Sequence, residues 1–207
     1  MNEELFDNFI ENYQLGKPQI ISRELIADIE TPISSLLKLT KNEKYSFLLE
    51  SVEGGDQRGR FSLLGFDPDI IWEVKNNKVD IKTFNAELNL SLISKKPIQS
   101  LKDLIKYSKI ERDILLPPFP ILVGYLGYPM IKYMEDIELN NLDELNIPDA
   151  IMIRPKLLAV FDNIKDTINI MTSVYPNKIK DAYTALKEAN SYLDNSIKKL
   201  NKDIVAN

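Results

Sequence analysis

Apolar positions follow two rhythms along this chain. From Glu3 to Leu15 they recur at Leu5, Phe6, Phe9, Ile10 and Tyr13, the three-and-four spacing of a helix face, and Gly16-Lys17-Pro18 stops the run. Gln19 to Ile26 reads as a strand. Thr31-Pro32 is a helix start, because Thr caps free amides and Pro fits the first helical position. That helix is expected to turn Ile33, Leu36, Leu37 and Leu39 inward and to end near Lys41-Asn42. Two apolar runs, Tyr45–Val52 and Phe61–Phe66, then flank a polar loop holding Gly54, Gly55 and Gly59, which predicts paired strands. The first run is apolar on consecutive positions and so predicts a strand covered on both faces. Asp67-Pro68 reads as a turn. Ile70, Trp72 and Val74 alternate, Asn76-Asn77 turns, and Val79, Ile81 and Thr83 alternate again, a hairpin with one wet face and Trp72 as its core anchor.

Beyond the hairpin, Asn85 to Lys96 suggests a short strand and a loop, and Ser100 to Tyr107 a short helix with Leu101, Leu104 and Ile105 on one face. Pro117-Pro118-Phe119-Pro120 is a stiff lead-in to Ile121–Tyr128, read as a buried strand whose Gly124 and Gly127 mark close backbone approach. Pro129 opens a helix carrying Met130, Ile131 and Met134. Asn140 to Ile147 is an acidic surface loop. Asp149–Arg154 and Lys156–Phe161 read as strands split by Pro155, and Ile168–Val174 as another. Ile179, Ala182, Tyr183, Leu186, Ala189, Leu193, Ile197 and Leu200 fall on one helical stripe of roughly six turns. The expected class is α+β: a largely antiparallel sheet of seven or more strands covered by helices, closing on a long amphipathic helix, with residues 1–207 as one domain.

Composition narrows the chemistry. At 44% hydrophobic and 28% charged residues the chain is of the ordinary globular kind. Its net charge of −5 gives no basic surplus for nucleic acid or an anionic membrane. Lys95, Lys96, Lys102, Lys106 and Lys109 read as a solvated face. With no cysteine and no histidine, the chain offers no thiolate nucleophile, no Cys-ligated metal and no Ser-His-Asp triad. The acidic start lacks the apolar core of a signal peptide, and no run approaches a membrane span, so a cytoplasmic location is expected. Candidate binding chemistry sits at the end of the first central strand, where Glu50 and Ser51 place a carboxylate and a hydroxyl beside apolar wall residues. Such acceptors suit the ammonium of a small zwitterion.

Four blocks carry a resemblance: Ala27-Asp28-Ile29-Glu30-Thr31-Pro32; Phe47-Leu48-Leu49-Glu50-Ser51-Val52-Glu53-Gly54; Arg58-Gly59-Arg60-Phe61-Ser62-Leu63-Leu64-Gly65; and Gly124-Tyr125-Leu126-Gly127-Tyr128. In order and spacing the chain resembles the N-terminal region of anthranilate synthase component I, a chorismate-utilising enzyme family. The resemblance implies half of a two-domain protein that converts chorismate and glutamine-derived ammonia to anthranilate and pyruvate in tryptophan biosynthesis. It implies that Ser51, with Glu50 as a weaker neighbour, contacts the feedback inhibitor L-tryptophan. It implies further that Mg2+, chorismate and the catalytic residues belong to a C-terminal half beginning where this chain ends, and that a glutamine amidotransferase subunit (component II) docks on the large subunit. No catalytic residue or metal ligand is expected in residues 1–207. Pro129 departs from the acidic residue expected of many relatives. Two other readings stay open at this point: the equivalent part of aminodeoxychorismate synthase component I, making a folate precursor, or a stand-alone tryptophan-binding module without catalysis.

Overall fold

The computed structural model describes residues 3–41, 43–53, 57–84, 93–111, 119, 122–138 and 145–203, with residues 3, 4, 51–53, 57 and 58 described by backbone alone. The expected Gly54-Gly55 loop, most of the 85–96 segment, all but Phe119 of the proline lead-in and most of the acidic 140–147 loop lie outside the described residues. In chain order the elements are α1 (Glu3–Gln14), β1 (Gln19–Ile26), α2 (Pro32–Leu39), β2 (Ser46–Glu53), β3 (Gln57–Lys75), β4 (Lys78–Thr83), α3 (Pro97–Tyr107), β5 (Val123–Leu126), a 3-10 helix (Tyr128–Tyr133), β6 (Ala150–Asp162), β7 (Thr167–Val174) and α4 (Ala182–Leu200). Strand pairing runs β1–β7–β6–β3–β2, with β4 added to β3 and β5 to β6. The pairs β1–β7, β6–β7, β2–β3, β3–β4 and β5–β6 are all antiparallel, so the expected fold class holds.

The chain divides into two compact units, residues 1–67, 110–119 and 156–207 in the first and residues 68–109 and 120–155 in the second. In the first unit, alternation along the strands sends Leu64, Phe66, Leu157, Ala159 and Phe161 to a face covered by α1, α2 and α4. Phe9 and Tyr13 of α1, Leu39 of α2 and Leu186, Leu193 and Leu200 of α4 complete that core. Leu158, Val160 and Met171 point to the opposite face, packed by Ile20, Phe47, Phe61, Leu63 and Phe119.

Caps set the helix starts. The Thr31 side chain accepts from the Ser34 amide at 3.0 Å and the Ser34 hydroxyl accepts from the Thr31 amide at 2.8 Å, a reciprocal capping box. Asp181 caps α4 through the Thr184 amide at 2.8 Å. Of the residues expected inward, Leu39 is buried and Leu36 packs on the core, whereas Ile33 and Leu37 are exposed; α2 buries Pro32 and Ser35 as well. Five apolar residues on eight positions leave a two-turn helix without a unique apolar face, so the pattern could not choose. Ile105, Ile179 and Tyr183 are likewise exposed, and α4 runs Ala182–Leu200, about five turns.

In the second unit Trp72 sits at the centre of Ile70, Val74, Ile93, Leu104, Met130 and Ala150, fully buried as expected. Its indole N–H donates to the Ser100 hydroxyl at 2.9 Å, and that hydroxyl donates to the Pro97 carbonyl at 2.8 Å. The hairpin has the expected register, Trp72 opposite Ile81 and Val74 opposite Val79, and its turn residues Asn76 and Asn77 hold φ of 50° and 64°. A buried Arg154 places Nε and Nη2 on the two carboxylate oxygens of Asp69, each at 2.7 Å, and Nη1 on the Ser108 hydroxyl at 3.3 Å.

Two expected breaks are absent. Asp67-Pro68 does not end a strand, because β3 continues through it, and Pro155 does not split β6. Both prolines lie where a strand changes partners. β3 leaves β2 at Phe66 and meets β4 at Ile70; β6 leaves β5 at Ile153 and meets β7 at Leu157. At these gaps the missing proline N–H interrupts neither of the ladders whose registers end there. β5 is a four-residue strand with Gly124, Tyr125 and Leu126 exposed, not the buried strand expected over 121–128. The expected close approach is there: a Cβ on Gly124 would lie 1.9 Å from the Ile151 carbonyl oxygen, and one on Gly127 2.8 Å from that of Asp149. β2 lies at the end of the strand order, so Leu49 is exposed, against the expected cover on both faces.

Candidate functional site

β2, β3 and the β6–β7 turn meet at one end of the first unit. Glu50 pairs with Ser62, but the next pair is Val52 with Arg58, so the single residue Ser51 stands opposite three residues of β3. This bulge frees the backbone of Gly59 and Arg60 from the ladder. Asn163 of the β6–β7 turn takes both: its amide donates to the Arg60 carbonyl and its side chain to the Gly59 carbonyl, each at 2.8 Å, with a longer bond to the Ser62 hydroxyl at 3.5 Å.

The neighbouring Asp162 is buried and receives Arg60, whose Nη2 lies 2.9 Å from Oδ2. Its Oδ1 also accepts the amides of Ile164 and Lys165 at 3.1 and 3.3 Å. The Arg60 hydrogen bond, helped by those amides and opposed by burial, holds the Asp162 carboxyl below its ordinary 3.8. A carboxyl depressed on folding stabilises the fold fully above its unfolded value and loses that contribution as pH falls through the folded one. Asp162→Asn is therefore expected to lower the thermal midpoint near neutral pH, with wild-type and variant curves converging below about pH 3.8. Parallel curves across that range would exclude this role.

Beside the turn lies a cleft of about 180 Å³, lined by residues 27–32 on one side and by Phe161, Asp162, Asn163, Asp166 and Thr167 on the other. The Ala27 amide donates to the Asp166 carbonyl at 2.8 Å and ties the two sides together. The lining holds Asp28, Glu30, Asp162 and Asp166 and no basic side chain. Glu30 is engaged by Lys38 and by the Ser34 hydroxyl, and Lys38 donates onward to the Leu200 carbonyl at 2.9 Å. Thr167 Oγ1 is buried with no hydrogen-bond partner. An acidic lining with a spare hydroxyl suits an ammonium group.

Glu50 is exposed on β2, and the Ser51 side chain lies outside the described residues. Glu50 is not among the described residues lining the cleft and comes near it through its pairing with Ser62, which Asn163 contacts. Arg60, Asp162 and Asn163 were missed from sequence as an assembly. The one available signal was Arg60 inside the Arg58–Gly65 block, since a single sequence does not say which distant carboxylate an arginine meets. Among the described residues no group of three or more His, Cys, Asp or Glu side chains is placed to hold a metal ion. Among them, too, no helix is long and apolar enough to cross a membrane.

No family model matches the chain. It is 32% identical over 200 residues to anthranilate synthase component 1 of Cereibacter sphaeroides, covering 95% of this chain and 40% of that protein. With the protein of the same name from Thermus thermophilus it shares 34% identity over 150 residues, 72% of this chain and 31% of the relative. With that of Acinetobacter calcoaceticus it shares 32% over 183 residues, 84% and 36%. Among solved structures it is similar to anthranilate synthase component I from Streptococcus pneumoniae, at 20% identity and a TM-score of 0.47, covering 83% of this chain and 36% of that one. The chain thus spans two-fifths or less of the length of these relatives. Along nearly all of its own length, this chain is a homologue of anthranilate synthase component 1.

Proposed function

We propose that residues 1–207 are the N-terminal region of an anthranilate synthase component I. The intact protein makes anthranilate and pyruvate from chorismate and glutamine-derived ammonia, as the lyase that opens tryptophan biosynthesis. The observation that carries this reading is the 32% identity to a protein of that name over 95% of the chain. Chorismate and magnesium belong to a C-terminal half outside this chain, and component II supplies the ammonia. Residues 1–207 contribute part of the tryptophan feedback site, through Ser51 with Glu50 beside it. The bulge at Ser51 supports a binding role, because bulges re-aim side chains at strand ends.

A chimera tests the reading. Residues 1–207 replace the matched segment of the Cereibacter sphaeroides protein, and anthranilate fluorescence is followed with chorismate, ammonium and magnesium. Anthranilate formation that tryptophan suppresses is expected. Ser51→Phe in the chimera is expected to raise the tryptophan concentration for half-inhibition about tenfold or more, the equivalent of one lost buried hydrogen bond, while leaving kcat near its starting value. A folded chimera that makes no anthranilate overturns the enzyme assignment. An unchanged half-inhibition in Ser51→Phe overturns the assignment of Ser51 alone.

A further inference from the structure

Asp67 is the one non-glycine residue with positive φ inside a strand; the others among the described residues, Asn76, Asn77, Asn146 and Asp166, lie in turns or loops. Its φ of 51° falls where β3 has left β2 and has not yet met β4. Left-handed backbone is costly for a residue with a Cβ and persists only where its surroundings impose it. The imposing contact comes from α4. The Tyr192 hydroxyl donates to Asp67 Oδ2 at 2.7 Å. The same ring lies under the Lys156 ammonium, 4.3 Å from the ring centroid. Lys156 follows Pro155 at the point where β6 changes from β5 to β7. One side chain of α4 thus touches both strands at their changes of partner.

We infer that Tyr192 is a latch: it holds β3 in its positive-φ backbone at Asp67 and seats β6 at Lys156, where each strand changes partners, and its release opens both strands locally. Burial first, and then the neighbouring Asp67 carboxylate, push the Tyr192 phenol far above its ordinary range, so it stays protonated and keeps donating. The latch is a positioning device and touches no ligand. Local opening of this kind is governed by a few contacts and is read by amide exchange.

The test is hydrogen–deuterium exchange on the full chain, resolved to peptides covering residues 64–70 and 153–158. Tyr192→Phe removes the hydroxyl and keeps the ring. It is expected to speed exchange in residues 64–70 about tenfold or more, while residues 153–158, whose Lys156 keeps the ring, and other core peptides change little; Tyr192→Leu, which removes the ring as well, is expected to speed both peptides. Asp67→Gly/Tyr192→Phe is expected to exchange slowly again in residues 64–70, because glycine holds positive φ without help. Asp67→Asn, which tolerates left-handed backbone and still accepts from the hydroxyl, is expected to match the wild type. The inference is overturned if Tyr192→Phe leaves residues 64–70 unchanged, if Tyr192→Leu leaves residues 153–158 unchanged, or if either variant speeds all core amides evenly. It is equally overturned if the glycine background fails to restore protection, or if Asp67→Asn loses it.

Discussion

Trp72→Ala is expected to destabilise the chain by about 3–5 kcal/mol, the cost of removing a large aromatic from a closed core. Trp72 has no exposed surface, and seven described apolar neighbours pack against its cluster from the hairpin, α3, β6 and the segments around the 3-10 helix. Among the described residues the other aromatic packed on that cluster, Tyr133, is only partly buried. Because Trp72 is the only tryptophan of the chain, unfolding of the variant is followed by circular dichroism in urea instead of fluorescence. Trp72→Phe is expected to cost less. It leaves a smaller void, and Ser100 keeps its bond to the Pro97 carbonyl after losing the indole donor. A loss for Trp72→Ala within the range of surface substitutions, about 0.5 kcal/mol, would remove Trp72 as the anchor of this unit.

Asp69→Ala is the second large expectation, at about 3 kcal/mol. The Arg154 side chain is 2% exposed and that of Asp69 16%. Deleting the carboxylate removes the bidentate counter-charge of a guanidinium that water barely reaches, and breaking a buried pair from one side costs about 3–5 kcal/mol. The low end applies because Asp69 keeps some solvent. Ser108 still accepts from Arg154 in the variant, which softens the loss further. Replacing both partners, Asp69→Ala with Arg154→Met, is expected to recover much of the deficit, since an apolar substitute needs no counter-charge. Urea midpoints of the two single variants and the double variant form the cycle. Additive losses would show that the pair contributes as two separate residues.

How much of this was legible beforehand differs by element. α1, β1, the Asn76-Asn77 hairpin and the Thr31 cap were readable because each is decided within a few residues, by periodicity, a turn dipeptide or a capping side chain. The two prolines misled because their effect depends on which strand lies alongside, and a sequence does not display its partners. The exposure of Leu49, Tyr125 and Leu126 was hidden for the same reason: an apolar run looks alike at the centre of a sheet and at its edge. At the candidate site, Glu50 and Ser51 were legible as chemistry, whereas the Arg60–Asp162 pair and the Asn163 ties were not. Those residues lie about a hundred positions apart, and only the folded pairing of β3 with its neighbours brings them together.

The division of the chain has a consequence during synthesis. Every segment of the second unit leaves the ribosome before Lys156. α1 and β1 emerge first, yet β1 must wait for β7, pairing Gln19 with Val174. The order of completion is therefore the reverse of the order of emergence. The second unit closes its Trp72 core while the oldest part of the nascent chain still carries an unpaired strand. Long-range pairing of this kind is slow and exposes apolar surface to other chains. Between the emergence of Ile26 and that of Val174, β1 has no strand to pair with.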